Sequence, residues 1–557
     1  MRTALVPRRS VRTLCAAGRC GSSVSGVSCS RASVSPTCCC ESVSEGASVW
    51  DAAMAPALPS LAEMCSIIVP LLVLLVTVSL LLFYRTPAER LLQLIPGPRP
   101  LPILGNLLDL PFGQSDMMEV LRRNCDPGGL TYMHCGSLHY VLLTSPQALE
   151  GVLSSKNELD KGYDYEPLHP WLGKGLLTST GEKWHRRRKL ITPAFHFAIL
   201  DSFLETMTKN ASALVERLAA GGDGPQEVWP LVSDAALDTI AETAMGVSVG
   251  AQQGSAVKYK AAIASIGHVV HSRSLRPWLR NATIFRLLGW QRQQEEALAV
   301  LHSFTRRIIR ERRARRANGG ADSLEQAGDG RRKAFLDLLL SSEEGALLTD
   351  EDVAEEVDTF MFEGHDTTTS GICWTLLHLA RLPDVQRRVH EELDEHLPDE
   401  GIPLTREHLT NLKYLECTIK ESLRVTPPVV MYSRTLRNNF TVDGYVVPAG
   451  TNMMMLPYVV HRDPRHWPEP EKFDPDRHLP ENAAARHPYA LVPFSAGPRN
   501  CVGQRFAMLE MKSMLAAMLR RFSLSTEQQF SEKMFYVSLT LQSSPPMKVS
   551  FVPREKA

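Results

Sequence analysis

The feature that most limits how this chain can fold is one uninterrupted helical run near its middle. Thr349 followed three residues later by Asp352 forms a capping box, and the segment EDVAEEVDTFMFEGHDTTTSGICWTLLHLARL then continues to a stop before Pro383. About 32 residues at a rise of 1.5 Å each span about 48 Å. From Val357 to Thr369 the run is largely apolar on every face, the pattern of a helix buried all round. Such a helix needs a domain wide enough to surround it, and a chain of 557 residues can supply one. We find no internal repeat and no linker-like stretch within residues 96–557, so a single large domain is expected there. Apolar residues make up 44% and charged residues 22%, ordinary values for a globular protein. Lys plus Arg, 61, balance Asp plus Glu, 61, which gives no sign of a nucleic-acid binder.

From about 115 to 435 apolar residues recur at three- and four-residue spacing, predicting mainly helix. Residues 314–333 (ARRANGGADSLEQAGDGRRK) read as a solvated loop. Alternation around Pro545-Pro546 in Phe535–Val552, and again in Thr441–Met454, predicts short strands. The expected class is α+β, helix-dominated with small sheets. Of the twelve cysteines, six crowd into the first forty residues. Cys125, Cys135, Cys373, Cys417 and Cys501 are widely spaced, which argues against a disulfide framework and for a reducing compartment. No C-x-x-C pair occurs, disfavouring a zinc ribbon.

Residues 64–84 (MCSIIVPLLVLLVTVSLLLFY) carry no charge over 21 positions, the length a transmembrane helix needs. Arg85, Arg90 and Arg99 follow it, whereas only Glu45, Asp51 and Glu63 stand in the twenty residues before. The positive-inside rule then predicts a single-pass anchor with the C-terminal part in the cytosol. Pro96-Gly97-Pro98-Arg99-Pro100-Leu101-Pro102 is a stiff, non-helical spacer between anchor and globule. Residues 1–63 are expected to be an extension, disordered or processed. The first 53 have no acid before Glu41 and are rich in Arg and Ser, as a transit peptide is; a luminal tail, or a start at Met54 or Met64, fits as well.

Phe494-Ser495-Ala496-Gly497-Pro498-Arg499-Asn500-Cys501-Val502-Gly503 is the most informative decapeptide. Glycines at −4 and +2 allow a tight turn that aims backbone N–H groups at the Cys501 sulfur. Those donors, with Arg499 at −2, favour a thiolate. A helix predicted to begin at once with GQRFAMLEMKSMLAAMLRRF places the sulfur near its positive end. The segment resembles the F-x-x-G-x-R-x-C-x-G signature of cytochromes P450 at every fixed position, and the resemblance covers essentially all of residues 96–557. It implies that Cys501 is the axial ligand of a haem b iron, whose thiolate favours O–O cleavage.

Glu421 and Arg424 in Glu421-Ser422-Leu423-Arg424 resemble the family's E-x-x-R. Arg477, in Phe473-Asp474-Pro475-Asp476-Arg477-His478, stands where its third member belongs; the family often has Phe where this chain has His478. A buried Arg–Glu–Arg cluster needs full hydrogen bonding to stabilise, so its expected role is structural. Trp184 and Arg188, at i and i+4, resemble the pair that holds a haem propionate. Arg186, Arg187 and Lys189 read as a basic surface face. Arg434 and Arg499 are further propionate candidates from the family pattern.

In Glu363-Gly364-His365-Asp366-Thr367-Thr368, Asp366 and Thr367 resemble the acid–alcohol pair that P450s use for proton delivery. A mid-helix Thr otherwise bonds back to the carbonyl four residues earlier. Glu363 lies one turn from Thr367 after the apolar Phe360-Met361-Phe362, where an unpaired carboxylate is costly. EVDTFMFEGHDTT, Glu356–Thr368, is similar to the signature of P450 family 4, the fatty-acid ω-hydroxylases, in which this Glu can be esterified to a haem methyl. Residues 171–181 and 485–501 look most like subfamily V. The resemblance implies oxidation of medium- and long-chain fatty acids, polyunsaturated ones included, at or near the terminal methyl, in the endoplasmic reticulum membrane. It implies electrons from NADPH through NADPH–cytochrome P450 reductase, with cytochrome b5 as a further donor. Only 56 residues follow Cys501, too few for a fused flavin domain, and Arg499 and Arg505 suit an acidic partner. Val429, Val430 and Met431 are the expected pocket residues. A hydroperoxide isomerase or dehydratase, which often lacks the acid–alcohol pair, and a non-catalytic haem-binding membrane protein are the alternative readings.

Overall fold

The computed structural model describes residues 61–83, 86–101, 104–110, 117–125, 129–317, 335–341, 348–397 and 402–554. The extension 1–53, with Met54, lies outside them. The chain divides into a unit Met1–Ile68 and a unit Val69–Ala557. Helix α1 (Leu61–Phe83) covers the charge-free run, with Pro70 inside it, and its large side chains from Met64 to Val78 are exposed. Among the described residues, no helix is long and apolar enough to cross a membrane. The side chains of residues 81–85 fall outside that description, so the expected 64–84 span is not established by the fold.

The long helix is as expected. Thr349 caps it, with Asp352 returning the reciprocal bond, and it runs over Asp350–Arg381 for 32 residues. Its buried residues run almost unbroken from Val357 to Ala380. It packs against helices Val228–Thr243, Lys413–Val425 and Gln504–Arg521. We number the further helices that frame the site in chain order: α2 (Gly181–Ile191), α3 (Val228–Thr243), α4 (Val257–Leu275), α5 (Asp350–Arg381), α6 (Lys413–Val425) and α7 (Gln504–Arg521).

Four strands among the described residues fall inside the stretch expected to be mainly helical. The longest two, β1 (Leu130–Cys135) and β2 (Leu138–Leu143), pair antiparallel across a tight turn at Gly136, whose φ is 59°. β1 is buried at every position, so it shows no period-two alternation to set it apart from a buried helix. The sheet continues through β7 (Asn452–Met455), parallel to β2, to β4 (Tyr432–Thr435). β5 (Phe440–Val442) and β6 (Tyr445–Val447) form a hairpin. Asp443 and Gly444 turn it with φ of 49° and 81°, as a two-residue hairpin turn requires. The C-terminal strands are β9 (Phe535–Val537), β10 (Leu541–Ser543) and β11 (Lys548–Pro553), the last flanked by β3 (Pro225–Glu227) and β8 (Phe522–Ser525). The 314–333 loop starts later than expected. Helix Trp290–Ala317 takes its first four residues, because Arg312 is buried in a bidentate pair with Asp337 at 2.5–2.8 Å and anchors the last turns. Residues 318–333 lie outside the described set.

Candidate functional site

The loop before α7 is shaped by backbone contacts. Cys501 N–H donates to Phe494 O at 2.9 Å and Asn500 N–H to Gly497 O at 3.0 Å. Gly497 sits at φ 68°, and a Cβ there would lie 1.8 Å from Leu153 O, so only glycine fits. α7 begins at Gln504, directly after the loop. Gly503 N–H donates to the Cys501 sulfur. Burial and Glu363 nevertheless push the thiol up to about 12, and Arg188 pulls it down. The cation acting on the sulfur is thus Arg188, not Arg499 as the spacing suggested. Arg499 turns away, stacks over Trp184 with its guanidinium carbon 4.5 Å from the ring centroid, and donates to Leu177 O and Ser179 O. At 9% exposed it is also ruled out as a docking residue for a partner, whereas Arg505 is exposed.

Cys501 faces a cavity of about 220 Å³. Glu363, which also borders a second cavity, joins Cys501 and Lys161 in lining this space. Its walls are largely apolar, with Phe494, Val429, Phe360 and Trp184 among them, and four cations line it: Lys161, Arg188, Arg434 and Arg499. Arg188 is held by Asn500, donating to its O at 2.7 Å and its Oδ1 at 2.6 Å. Arg434 is 2% exposed, and Arg499 Nε is buried with no hydrogen-bond partner. Burial and the mutual repulsion of these groups push Arg499 down to about 9 and lower Lys161. Four cations around one cavity, with Arg434 and Arg499 buried and Arg499 carrying an orphaned donor, call for an anionic ligand. Facing a thiol across apolar walls, they fit a flat apolar group that carries two carboxylates and a metal accepting sulfur. A haem has that chemistry, with Cys501 to hold the iron and Trp184, Arg188, Arg434 and Arg499 to hold the propionates.

Lys161 was not singled out from the sequence. It comes to the cavity through an isolated bridge to Arg434 on β4, and nothing in its local sequence marks it. Arg187, expected on a basic surface, is buried and bonds Asp352 at 2.5 Å, with Glu356 3.9 Å away. Glu356 Oε2 also accepts the Leu176 N–H at 2.9 Å. Desolvation pushes its carboxyl up to about 7. α2, α5 and the 173–179 loop are tied together through these contacts.

A second cavity, about 300 Å³, lies beside the first. Glu363, Thr367, Leu177 and Val429 line both. Val429, Val430 and Met431 all line the second, as expected. Thr367 Oγ1 donates to Glu363 O at 2.7 Å, the back-bond usual for a mid-helix threonine. Burial pushes the Glu363 carboxyl up, opposed by Lys161 and Arg188. Asp366 does not join Thr367 at the cavity wall. It is buried on another side of α5, where its Oδ2 accepts from Thr540 Oγ1 at 2.7 Å. Thr540 does line the second cavity.

On α6, Glu421 and Arg424 are both 0% exposed. The pair is bidentate, with Arg424 Nε and one terminal nitrogen each 2.8 Å from a Glu421 oxygen. Arg424 spends its remaining donors on His461 O, Pro470 O and Lys472 O. Arg477, the expected third member, is within ion-pair range of Glu421, and His478 joins it as a closer partner. His478 Nε2 lies 2.8 Å from Glu421 Oε2, whereas Arg477 Nε stands off at 3.6 Å and a terminal nitrogen bonds Glu469 O. The departure from the family pattern at His478 was the signal for this contact.

Residues 95–551 match the family model described as Cytochrome P450. Cytochrome P450 4c3 of Drosophila melanogaster is 40% identical over 488 residues, covering 85% of this chain and 91% of the fly protein. Cytochrome P450 4V2 of Homo sapiens is 42% identical over 475 residues, 82% of this chain and 89% of that one. The Mus musculus protein of the same name is 45% identical over 406 residues, 71% and 77% respectively.

Proposed function

Because the chain belongs to the cytochrome P450 family, as a haem-thiolate monooxygenase of family 4, we propose that it hydroxylates medium- and long-chain fatty acids, polyunsaturated ones included, at or near the terminal methyl. What carries the reading is the apolar cavity of about 300 Å³ that shares Thr367 and Glu363 with the cavity of Cys501. An aliphatic chain end fits against that shared wall without stranding a polar group.

When bound, a thiolate-ligated haem supplies dioxygen activation and O–O cleavage. Around it, Cys501 would hold the iron, Arg188, Arg434 and Arg499 would neutralise the propionates, and the Trp184 indole N–H would help to orient them. Thr367 is the alcohol that passes a proton into the site, its hydroxyl poised 2.7 Å from Glu363 O. Asp366 resupplies that proton from behind the helix, and its bond to Thr540 gives it an outlet to the second cavity. Glu363 is the carboxylate that would be esterified to a haem methyl: a C–O bond would replace one methyl C–H bond, the proton leaving to solvent and two electrons passing to an oxidant derived from dioxygen, and the ester would remove a buried charge that desolvation disfavours. Two electrons per turnover come from NADPH through NADPH–cytochrome P450 reductase, with cytochrome b5 as an additional donor. α1, with residues 64–84, anchors a cytosolic catalytic domain of residues 96–557 to the endoplasmic reticulum membrane.

Reconstitution with reductase and a fatty-acid panel tests the activity. NADPH-dependent oxygen uptake with ω or near-terminal alcohols as products is the expected result, and conversion of hydroperoxides alone would sink it. The ester has its own test. Acid–acetone should leave haem on the native protein and strip it from Glu363→Ala; complete extraction from both refutes the covalent link.

A further inference from the structure

The larger cavity has lining residues that the oxygen-activating residues do not explain. His271 on α4 lines this cavity and not the Cys501 cavity. It is 9% exposed, and its Nε2 is buried with no hydrogen-bond partner. A buried ring nitrogen left unpaired on a residue that borders a ligand-sized space is a donor or acceptor that a small turn of the ring would offer to a ligand atom. Ser274, one turn further along α4, lines the same wall; its Oγ donates to Val270 O at 3.0 Å and keeps its lone pairs. Among the described residues, no lysine or arginine lines this cavity. Of its two carboxylates, Asp164 is satisfied by Ser433 Oγ at 2.7 Å and Asn452 Nδ2 at 2.5 Å. Glu363 lies at the shared wall, within the field of Lys161 and Arg188.

The electrostatics at His271 have a sign. Burial, then His268, then Arg276 push the imidazole down to about 4, so the empty site holds a neutral ring. Burial, the largest cause, is not a field, and His268 is itself lowered towards the neutral form, so Arg276 is the fixed cation in that set whose charge favours an anion beside the ring.

We propose that His271 receives the carboxyl head of an aliphatic substrate whose other end lies at Thr367, donating a hydrogen bond through Nε2. This rests on the fatty-acid reading above and assigns the residue that reads the head group. Orientation then follows from chemistry. The head would find an unpaired nitrogen on a residue that the Cys501 cavity does not share, and the methyl end is left for the shared wall.

The test uses the full-chain holoenzyme with a saturated long-chain fatty acid, its methyl ester and the alkane of equal length. Binding is read from the substrate-induced haem spin-state shift, beside kcat/KM for each. In the native protein the acid should bind more tightly than the ester. His271→Phe should raise the Kd of the acid about tenfold, the size of a lost buried hydrogen bond to a charged group, with a much smaller change for the ester. His271→Gln, which keeps an N–H, should recover most of the loss. Equal weakening of acid and ester would mean that His271 only packs, and no change in either would leave it without a role; each overturns the proposal while the fatty-acid reading stands. A native protein that binds neither acid nor ester overturns both.

Discussion

Cys501→Ser is expected to reduce NADPH-dependent oxidation to the background rate and to remove the thiolate-type absorption band of the reduced carbon monoxide complex. The fold should survive. The Cys501 side chain faces a cavity and is exposed to it, so an isosteric hydroxyl creates no void and no clash. A Cys501→Ser protein with native circular dichroism and undiminished turnover would refute the ligand role. The titration supplies a second readout. Burial and Glu363 hold the free thiol at about 12, so at neutral pH the sulfur enters the reaction with haem protonated. Ligation needs the thiolate, and haem loading of the native apoprotein should therefore release a proton that the serine variant does not release. Loading should weaken as pH falls.

The second large effect is on stability. Glu421→Ala leaves Arg424 fully buried without its counter-charge, and removing one partner of such a pair costs about 3–5 kcal/mol. For a domain of this size that is a large part of the net stability. Chemical denaturation should show the loss, with haem incorporation falling in parallel. A change below about 1 kcal/mol, the scale of an exposed pair, would show that the pair is not the buried clamp seen here. The pH dependence has a definite sign. Its two side-chain bonds and the charges of Arg424 and His478 outweigh desolvation and hold the Glu421 carboxyl at about 2, below the usual 4.5. A depressed carboxylate contributes stability that is fully present above the ordinary value. That contribution is lost as pH falls from about 4.5 towards 2, and Glu421→Gln should flatten this part of the curve.

His478 shows how an expectation from pattern is refined by packing. The sequence places Arg477 and His478 side by side, and family resemblance favours the arginine. In the fold both reach towards Glu421, but His478 closes to 2.8 Å while Arg477 remains at 3.6 Å. The two positions differ only in which way a short helical turn, Pro475–His478, presents them, and the tertiary neighbours of that turn decide it.

The same division runs through the cavity. α5 was legible to its ends because a capping box, an apolar face and a terminating proline all act within a few residues. The turn at Gly497 and the helix following Cys501 were legible for the same reason. Arg187, Arg188 and Arg499 were legible as charges but not as contacts. Arg187 is buried against α5, Arg188 acts on the sulfur, and Arg499 lies over Trp184. Lys161, Thr540 and His271 carried no local signal at all.

The sequence by itself determined the long buried helix, the thiol-bearing loop and the membership of a haem-thiolate family, since each depends on residues a few positions apart. Only the tertiary structure decided which cations surround the Cys501 cavity, that Asp366 bonds Thr540 rather than the cavity, and that an imidazole with an unpaired nitrogen borders the second cavity. Those outcomes depend on desolvation and on charges brought together from distant parts of the chain, and neither exists until the chain has folded.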